Sequence, residues 1–412
     1  MASQKRKASV LFIFITILVD VIGIGIIIPV VPELIMSING GTESEAAEIG
    51  GWLMFSFAFM QFLFAPMLGE LSDRFGRKPI LIMALFGLGL DYIFHAYAPT
   101  VFWLIIGRLI AGFFGASFTV ASSYMADIST PEDKAKNFGM IGAAFGLGFI
   151  IGPVVGGVAA QWGVQMPFFI AACLSLLNML YGILVVPESL SIENRRSISI
   201  KNFNPINAIS NLRQYPLITG LILAYFLIYL AGKSVENIWS FYTMLRFDWT
   251  SAEVGYSLAF VGLLVVVVQG GLISKVVKKF GQFKTIIIGF VCWICGLLLF
   301  SFATEGWMMY AFCIVYCMGG VAGPTIQGIM SNMVPGNKQG ELAGALTSLI
   351  SVTSIIGPLM FTNLFSVFTR NDAPFEFPGI SFFVGAILAF IAMVFAVKTL
   401  RSNKFKESTN TL

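Results

Sequence analysis

Five ionisable side chains sit inside stretches that are otherwise apolar: Asp20, Asp91, Arg108, Lys233 and Glu236. Charge is costly at membrane depth, so each marks either a pathway for ions and solutes or a structural ion pair. The chemistry open to such groups is proton exchange. Asp20 and Arg108 fall on adjacent helices. A carboxylate's hold on its proton depends on burial and on nearby cations, so moving the two apart would change that hold. Lys233 and Glu236 are three residues apart and share one helix face. Either Glu236 is a second titrating site that Lys233 keeps ionised until substrate competes, or the two neutralise each other beside a wet cavity. The one histidine, His95, stands a turn beyond Asp91. Imidazole titrates near neutrality, although a lone histidine near a helix end is more often structural.

The elements that must position these groups are long hydrophobic runs. Of the 412 residues, 57% are hydrophobic and 11% charged, whereas a soluble domain carries about 25% charged residues. The runs approach the ~20 residues of a spanning helix. Glycine, proline and charge cut them into twelve spans: 8–35, 49–70, 79–97, 100–126, 134–160, 166–186, 215–243, 252–275, 284–302, 306–333, 338–368 and 378–400. The first is far longer than a signal-peptide core of roughly 7–15 residues and reads as a retained helix. With the N-terminus inside, 21 of the 25 Lys and Arg residues fall in inner segments, and only Arg246 and Arg370 in outer loops. That bias places both termini in the cytoplasm. The first outer loop carries Glu43, Glu45 and Glu48 instead.

A net charge of +4 reflects this loop bias and gives no sign of a nucleic-acid partner. The five cysteines all lie in apolar runs; Cys292 and Cys295 have CxxC spacing but no second ligand pair nearby. They read as small packing residues, with no metal site. No phosphate-cradling GxxxxGK[ST] loop is present, which argues against direct ATP drive. No cofactor is expected.

The chain repeats itself. Phe75-Gly76-Arg77-Lys78 returns as Phe280-Gly281-Gln282-Phe283-Lys284, Pro131 with Lys134 as Pro335 with Lys338, and Gly152-Pro153 as Gly357-Pro358, each at an offset of 204 or 205. The expected fold is therefore an all-α membrane protein of twelve transmembrane helices in two pseudo-symmetric six-helix bundles. Residues 1–186 form the first bundle, 187–214 a cytoplasmic linker and 215–412 the second bundle. Paired repeats of this kind build secondary transporters, with the solute site near the midplane.

The stretch Gly69-Glu70-Leu71-Ser72-Asp73-Arg74-Phe75-Gly76-Arg77-Lys78-Pro79 reads as a short, wet, basic turn. It resembles the signature between helices 2 and 3 of the major facilitator superfamily. Gly107-Arg108-Leu109-Ile110-Ala111-Gly112 resembles that superfamily's helix 4 motif. The run from Gly146 to Gly157, with Gly152 and Pro153, is similar to the helix 5 motif of its antiporters. Asp20 to Pro32, Gln61-Phe62-Leu63-Phe64-Ala65-Pro66 and Asp91-Tyr92 are similar to the tetracycline/proton antiporter group.

The resemblance implies that Gly69, Asp73, Arg74, Gly76, Arg77 and Lys78 form an inner gate, weaker in the second copy because that copy has no aspartate. The alternative for this stretch is a topology signal alone. The glycines of span 5 permit close helix approach, and Pro153 bends the helix. The resemblance makes Gly152 and Pro153 part of the moving interface. It also implies roles for Asp20 in proton coupling and for Asp91 in transport. Two of that group's residues are missing. Val265 stands near its helix 8 histidine, and Trp293 lies in a ninth span without an acid.

Amides on apolar helices, Gln61, Asn237, Gln269 and Gln327, with Phe57, Tyr124 and Trp239, would line a cavity for a bulky amphipathic or weakly charged organic molecule. The expectation is a monomeric, proton-coupled exporter in a bacterial inner membrane, surrounded by lipid bilayer. A dedicated metabolite exporter, such as one for a siderophore, is the nearest alternative. A membrane receptor or scaffold that moves no solute is another.

Overall fold

A computed structural model describes residues 2–115, 117–129, 133–195, 218–334 and 339–402. The Pro131 and Pro335 pair of the repeat, Lys338 and most of the 187–214 linker lie outside these residues. The described residues are almost entirely helical, with no strand among them.

The first half holds α1 (Ala2–Ile27), α2 (Val31–Asn39), α3 (Glu43–Phe75), α4 (Arg77–Ala96), α5 (Val101–Phe114), α6 (Ser117–Ile128), α7 (Lys134–Ala159) and α8 (Met166–Val185). The second holds α9 (Thr219–Phe247), α10 (Ser251–Val267), α11 (Ile273–Ser301), α12 (Gly306–Met318), α13 (Ala322–Asn332), α14 (Gln339–Thr369) and α15 (Ile380–Arg401). Among the described residues, eleven helical stretches are long and apolar enough to cross a membrane. The longest, Ser251–Ser301, contains 51 residues, far beyond the ~20 that one crossing requires. Gly281 breaks it in two, with φ +76° and ψ +162°. That makes twelve spans.

Three expected spans are each two helices. The first breaks at Ile28–Val30, where Pro29 and Pro32 withdraw backbone donors and disfavour helical geometry in the residue before them. The fourth breaks after Phe114 at Gly115, and the tenth at Gly319–Val321. These two breaks lie one repeat length apart.

The basic turn at 69–79 is also shorter than its sequence suggests. α3 runs on to Phe75 and α4 starts at Arg77, so Gly76 alone makes the turn, at φ +106°. Side-chain charge inside the stretch is compatible with helix as long as the helix end is wet. Gly281 makes the equivalent turn in the second half, so both copies use a left-handed glycine.

The chain forms two compact units. One comprises residues 1–42, 52–205 and 249–262, the other 43–51, 206–248 and 263–412. The core of the first includes Phe12, Ile13, Ile17, Leu85, Val120, Tyr124 and Ala144. The core of the second includes Tyr225, Ile228, Phe290, Ile326, Leu346 and Ala392. Lipid tails are as apolar as these side chains, so close packing, not exclusion of water, must hold them together. α1 and α7 show how. A Cβ on Gly148 would lie 2.7 Å from Val21, and one on Gly152 would lie 2.7 Å from the Ile22 carbonyl oxygen. Gly25 meets Pro153 in the same way. In contrast, Gly139 and Gly142 at the start of α7 face open space.

Candidate functional site

At the turn between α3 and α4, Arg77 is buried and its guanidinium is engaged through Nε and Nη1. It pairs with Asp73 one turn back, donates from Nε to Asp127 Oδ2 at 3.1 Å and from Nη1 to Ser72 Oγ at 2.7 Å. Guanidinium suits this work because its donors form a rigid planar fork. Glu188 approaches from beyond α8. Its carboxylate accepts from the backbone N–H of Arg77 at 2.9 Å and of Lys78 at 3.2 Å, groups that the start of a helix leaves without partners. It also accepts from the N–H groups of Ser189 and Leu190 at 3.0 Å. A carboxylate at a helix N-terminus is further favoured by the helix dipole. A Cβ on Gly76 would lie 2.8 Å from the Glu188 carboxyl carbon. Tyr124 completes the anchor by donating to the Pro187 carbonyl at 2.5 Å. Lys78 Nζ donates to the Ile183 carbonyl, Arg74 is exposed over the Phe75 ring, and Gly69 has nothing near it.

Deeper in α4, Asp91 and His95 are both buried, with His95 Nδ1 2.8 Å from Asp91 Oδ1. Tyr92, beside them, packs on α1, where a Cβ on Gly23 would lie 2.9 Å from its hydroxyl, and a Cβ on Gly107 of α5 would lie 2.5 Å from His95 Cε1, so α1, α4 and α5 meet at this level.

In the second unit, Lys233 Nζ lies 2.5 Å from Glu236 Oε2 on α9. The pair is lopsided: the Lys233 side chain is 12% exposed and that of Glu236 61%. Gly357 makes room for Lys233, since a Cβ there would be 2.8 Å from Lys233 Cγ. One turn on, Asn237 is buried and its Nδ2 has no hydrogen-bond partner.

The expected cavity residues differ in their surroundings. Gln269 is exposed and sits in a single π-helical turn, Val268–Leu272, between α10 and α11. Gln327 is exposed on α13 and Phe57 is half-buried on α3. Gln61 donates from Nε2 to the Gly115 carbonyl at 2.6 Å, where α5 breaks off. Tyr124 and Trp239 are both fully buried, Tyr124 in the core of α1, α4 and α6, and Trp239 edge-on to Phe300. Among the described residues no group of three His, Cys, Asp or Glu side chains could hold a metal.

Residues 13–358 match the family model described as Major Facilitator Superfamily. The chain belongs to the Major Facilitator Superfamily. It is 35% identical over 408 residues to the class C tetracycline resistance protein of Escherichia coli, covering 99% of this chain and all of that one. It is 30% identical to multidrug resistance protein 2 of Bacillus subtilis, over 94% of this chain and 96% of that protein. Its fold is similar to the nucleoside transporter NupG, with a TM-score of 0.76 at 13% identity, over 97% of this chain and all of that structure.

As a Major Facilitator Superfamily member, the chain is a membrane transporter and not an enzyme. Sequence reasoning missed three partners of the signature turn in this superfamily member: Ser72, Asp127 and Glu188. A signal existed for two of them. Asp127 is an acid at the polar end of an apolar helix, and Glu188 is the first charge after the sixth span. The pairing of Glu48 with Arg370 was missed too; each is the charge at the end of a different span, in the same unit.

Proposed function

We propose that this transporter exports amphipathic, weakly charged organic molecules in exchange for protons, by alternating access. The observation that carries the reading is the match to a tetracycline resistance protein along 99% of the chain. Similarity to a multidrug resistance protein supports a broad organic substrate range over one dedicated metabolite. In this reading the proton gradient is the energy source and no cofactor takes part. Both termini face the cytoplasm of a bacterial inner membrane, and the transporter works as a monomer.

Asp20, Arg108 and Asp91 in the first half, and Lys233 with Glu236 in the second, handle protons. Glu236 suits exchange with solvent, since its carboxylate is mostly exposed while its lysine partner is largely enclosed. Asn237, Gln269, Gln327, Gln61 and Phe57 contribute to solute binding; of these, Asn237 offers a buried amide nitrogen without a partner. The network on Arg77 latches the cytoplasmic side. Gly152 and Pro153, packed on Gly25, supply a close contact along which helices can move.

The test is proton-driven uptake into everted vesicles, with a panel of amphipathic cations and tetracycline, compared with growth of an efflux-deficient host on the same compounds. Uptake that collapses with a protonophore and in Asp20→Asn supports the reading. Uptake that is indifferent to the gradient, or protection against none of the panel, refutes it.

A further inference from the structure

We propose that Lys233 and Asn237 hold an anionic oxygen group of the transported solute, a carboxylate or a comparable acid, which displaces Glu236 from Lys233. The inference deepens the proposed export of organic solutes by naming the charge they carry. It rests on that reading only for the use the transporter makes of the site.

Every part of the site belongs to the second unit. Glu236 and Asn237 follow Lys233 by three and four residues near the middle of α9, so the three side chains share one face. The Glu236 side chain is 61% exposed. A carboxylate so open at that depth cannot face hydrocarbon, so water reaches it. The Lys233 side chain is only 12% exposed, and among the described residues Glu236 is its one partner. Gly357 of α14 seats the lysine stem: a Cβ there would be 2.5 Å from Lys233 Cβ and 2.8 Å from Cγ. The same point is 3.4 Å from Asn237 Nδ2, so the amide lies against the base of the lysine. Asn237 is 4% exposed and its Nδ2 donates to nothing. Buried polar groups that serve only structure are nearly always satisfied. This one is not.

No neighbouring helix supplies an acid. α9 packs on α13, α14 and α15. Neither α13 nor α15 contains one, and Glu341, the one acid of α14, is 16 residues from Gly357, about 24 Å along the helix.

Unequal burial then decides the sign of the charge the site accepts. A cation drawn to Glu236 would leave Lys233 enclosed without a counter-charge, the costly result of breaking a buried pair from one side. An anion drawn to Lys233 leaves Glu236 in water, where its carboxylate stays hydrated. The cheaper exchange is the anionic one. An ammonium offers three donors and no acceptor, and the amide nitrogen adds two more donors. A group with two acceptor oxygens suits them: one oxygen takes Nζ, and the other reaches Nδ2 once the lysine stem swings off Gly357.

Benzoate, benzamide and benzylamine, alike in ring and size, probe the full-length transporter in detergent. Glu236→Gln removes the internal carboxylate and leaves Lys233 to be neutralised from outside. Benzoate should raise the melting temperature of Glu236→Gln by about 2 °C or more beyond its effect on the parent, while benzamide and benzylamine should not. Benzoate that acts on parent and variant alike, or benzamide that acts as benzoate does, overturns the proposal. Adding Asn237→Ala should shrink the rise; an unchanged rise removes the amide from the site. If Glu236→Gln does not survive purification, Lys233→Met decides, since it leaves only an exposed carboxylate: benzoate must stabilise the parent more than Lys233→Met, and equal effects overturn the proposal. Rescue by benzoate without proton-driven uptake of any compound defeats the functional reading and leaves the anion site standing. Proton-driven uptake without rescue defeats the anion site alone.

Discussion

The carboxylate of Glu188 caps the helix that begins at Arg77, reaching back across 111 residues to accept its backbone N–H at 2.9 Å. One acid thereby ties the end of the sixth span to the turn between the second and third. Losing a side-chain cap of this type costs about 0.5–2 kcal/mol. Glu188→Ala should therefore lower the melting temperature of the purified transporter in detergent, and Glu188→Gln, which keeps an acceptor, should lower it less. Equal losses would show that charge, not capping, is what Glu188 supplies.

Arg77 makes a sharper case. At the repeat offset of 205, the positions of Asp73, Arg77 and Asp127 are held by Lys278, Gln282 and Asn332, so the second half has no counterpart to this network. Asp73→Asn should impair transport far more than neutralising Lys275 or Lys278. Arg77→Lys should fail nearly as badly as Arg77→Ala, since an ammonium cannot span Asp73, Asp127 and Ser72 at once. Uptake rates in vesicles at matched expression decide both points.

The two turn glycines separate backbone strain from crowding. Gly76→Ala meets an unfavourable φ of +106° and the Glu188 carboxylate; Gly281→Ala meets only φ +76°, with open space around it. Strained backbone of this kind costs about 1–3 kcal/mol. Both variants should be less stable than the parent, Gly76→Ala markedly more so. Thermal unfolding followed by tryptophan fluorescence measures the difference.

Close approach of α1 and α7 gives a prediction with its own control. Gly152→Val should disrupt folding, because its side chain would press on the Ile22 carbonyl and on Gly25. Gly139→Ala and Gly142→Ala face nothing within 4 Å and should be tolerated. Membrane-fraction yield and gel-filtration profile report the outcome.

How far the sequence could be read depended on the scale of the signal. Hydrophobic runs and the offset of 205 revealed twelve spans because membrane insertion imposes length and polarity on every one of them. The breaks at Ile28–Val30, Gly115 and Gly319 lie inside apolar stretches, where Pro29, Gly115 and Gly319-Gly320 mark them locally but hydropathy does not change, so each run reads as one span. Asp73 and Arg77 were legible as a motif. Asp127 and Glu188 were not, because their link to Arg77 exists only once α6 and the end of the sixth span fold over α4. Tyr124 could be placed on a helix but not on a face.

Lys233 and Glu236 test the difference between a structural and a working pair. Glu236→Gln leaves a largely enclosed ammonium beside Gly357 without its carboxylate, so it should reduce stability as well as transport. Adding Lys233→Met should recover stability. If transport returns with it, the pair is structural; if transport stays lost while stability is regained, Glu236 works in coupling.

The break at Gly115 bears on how the chain crosses the bilayer. α5 has 14 residues and α6 has 12, about 21 Å and 18 Å at 1.5 Å per residue, and neither can cross a ~30 Å hydrocarbon core alone. Gln61 of α3 supplies a donor to the carbonyl exposed at the break. The two helices therefore reach across the bilayer only end to end, and the amide of Gln61 covers the carbonyl that their junction leaves open.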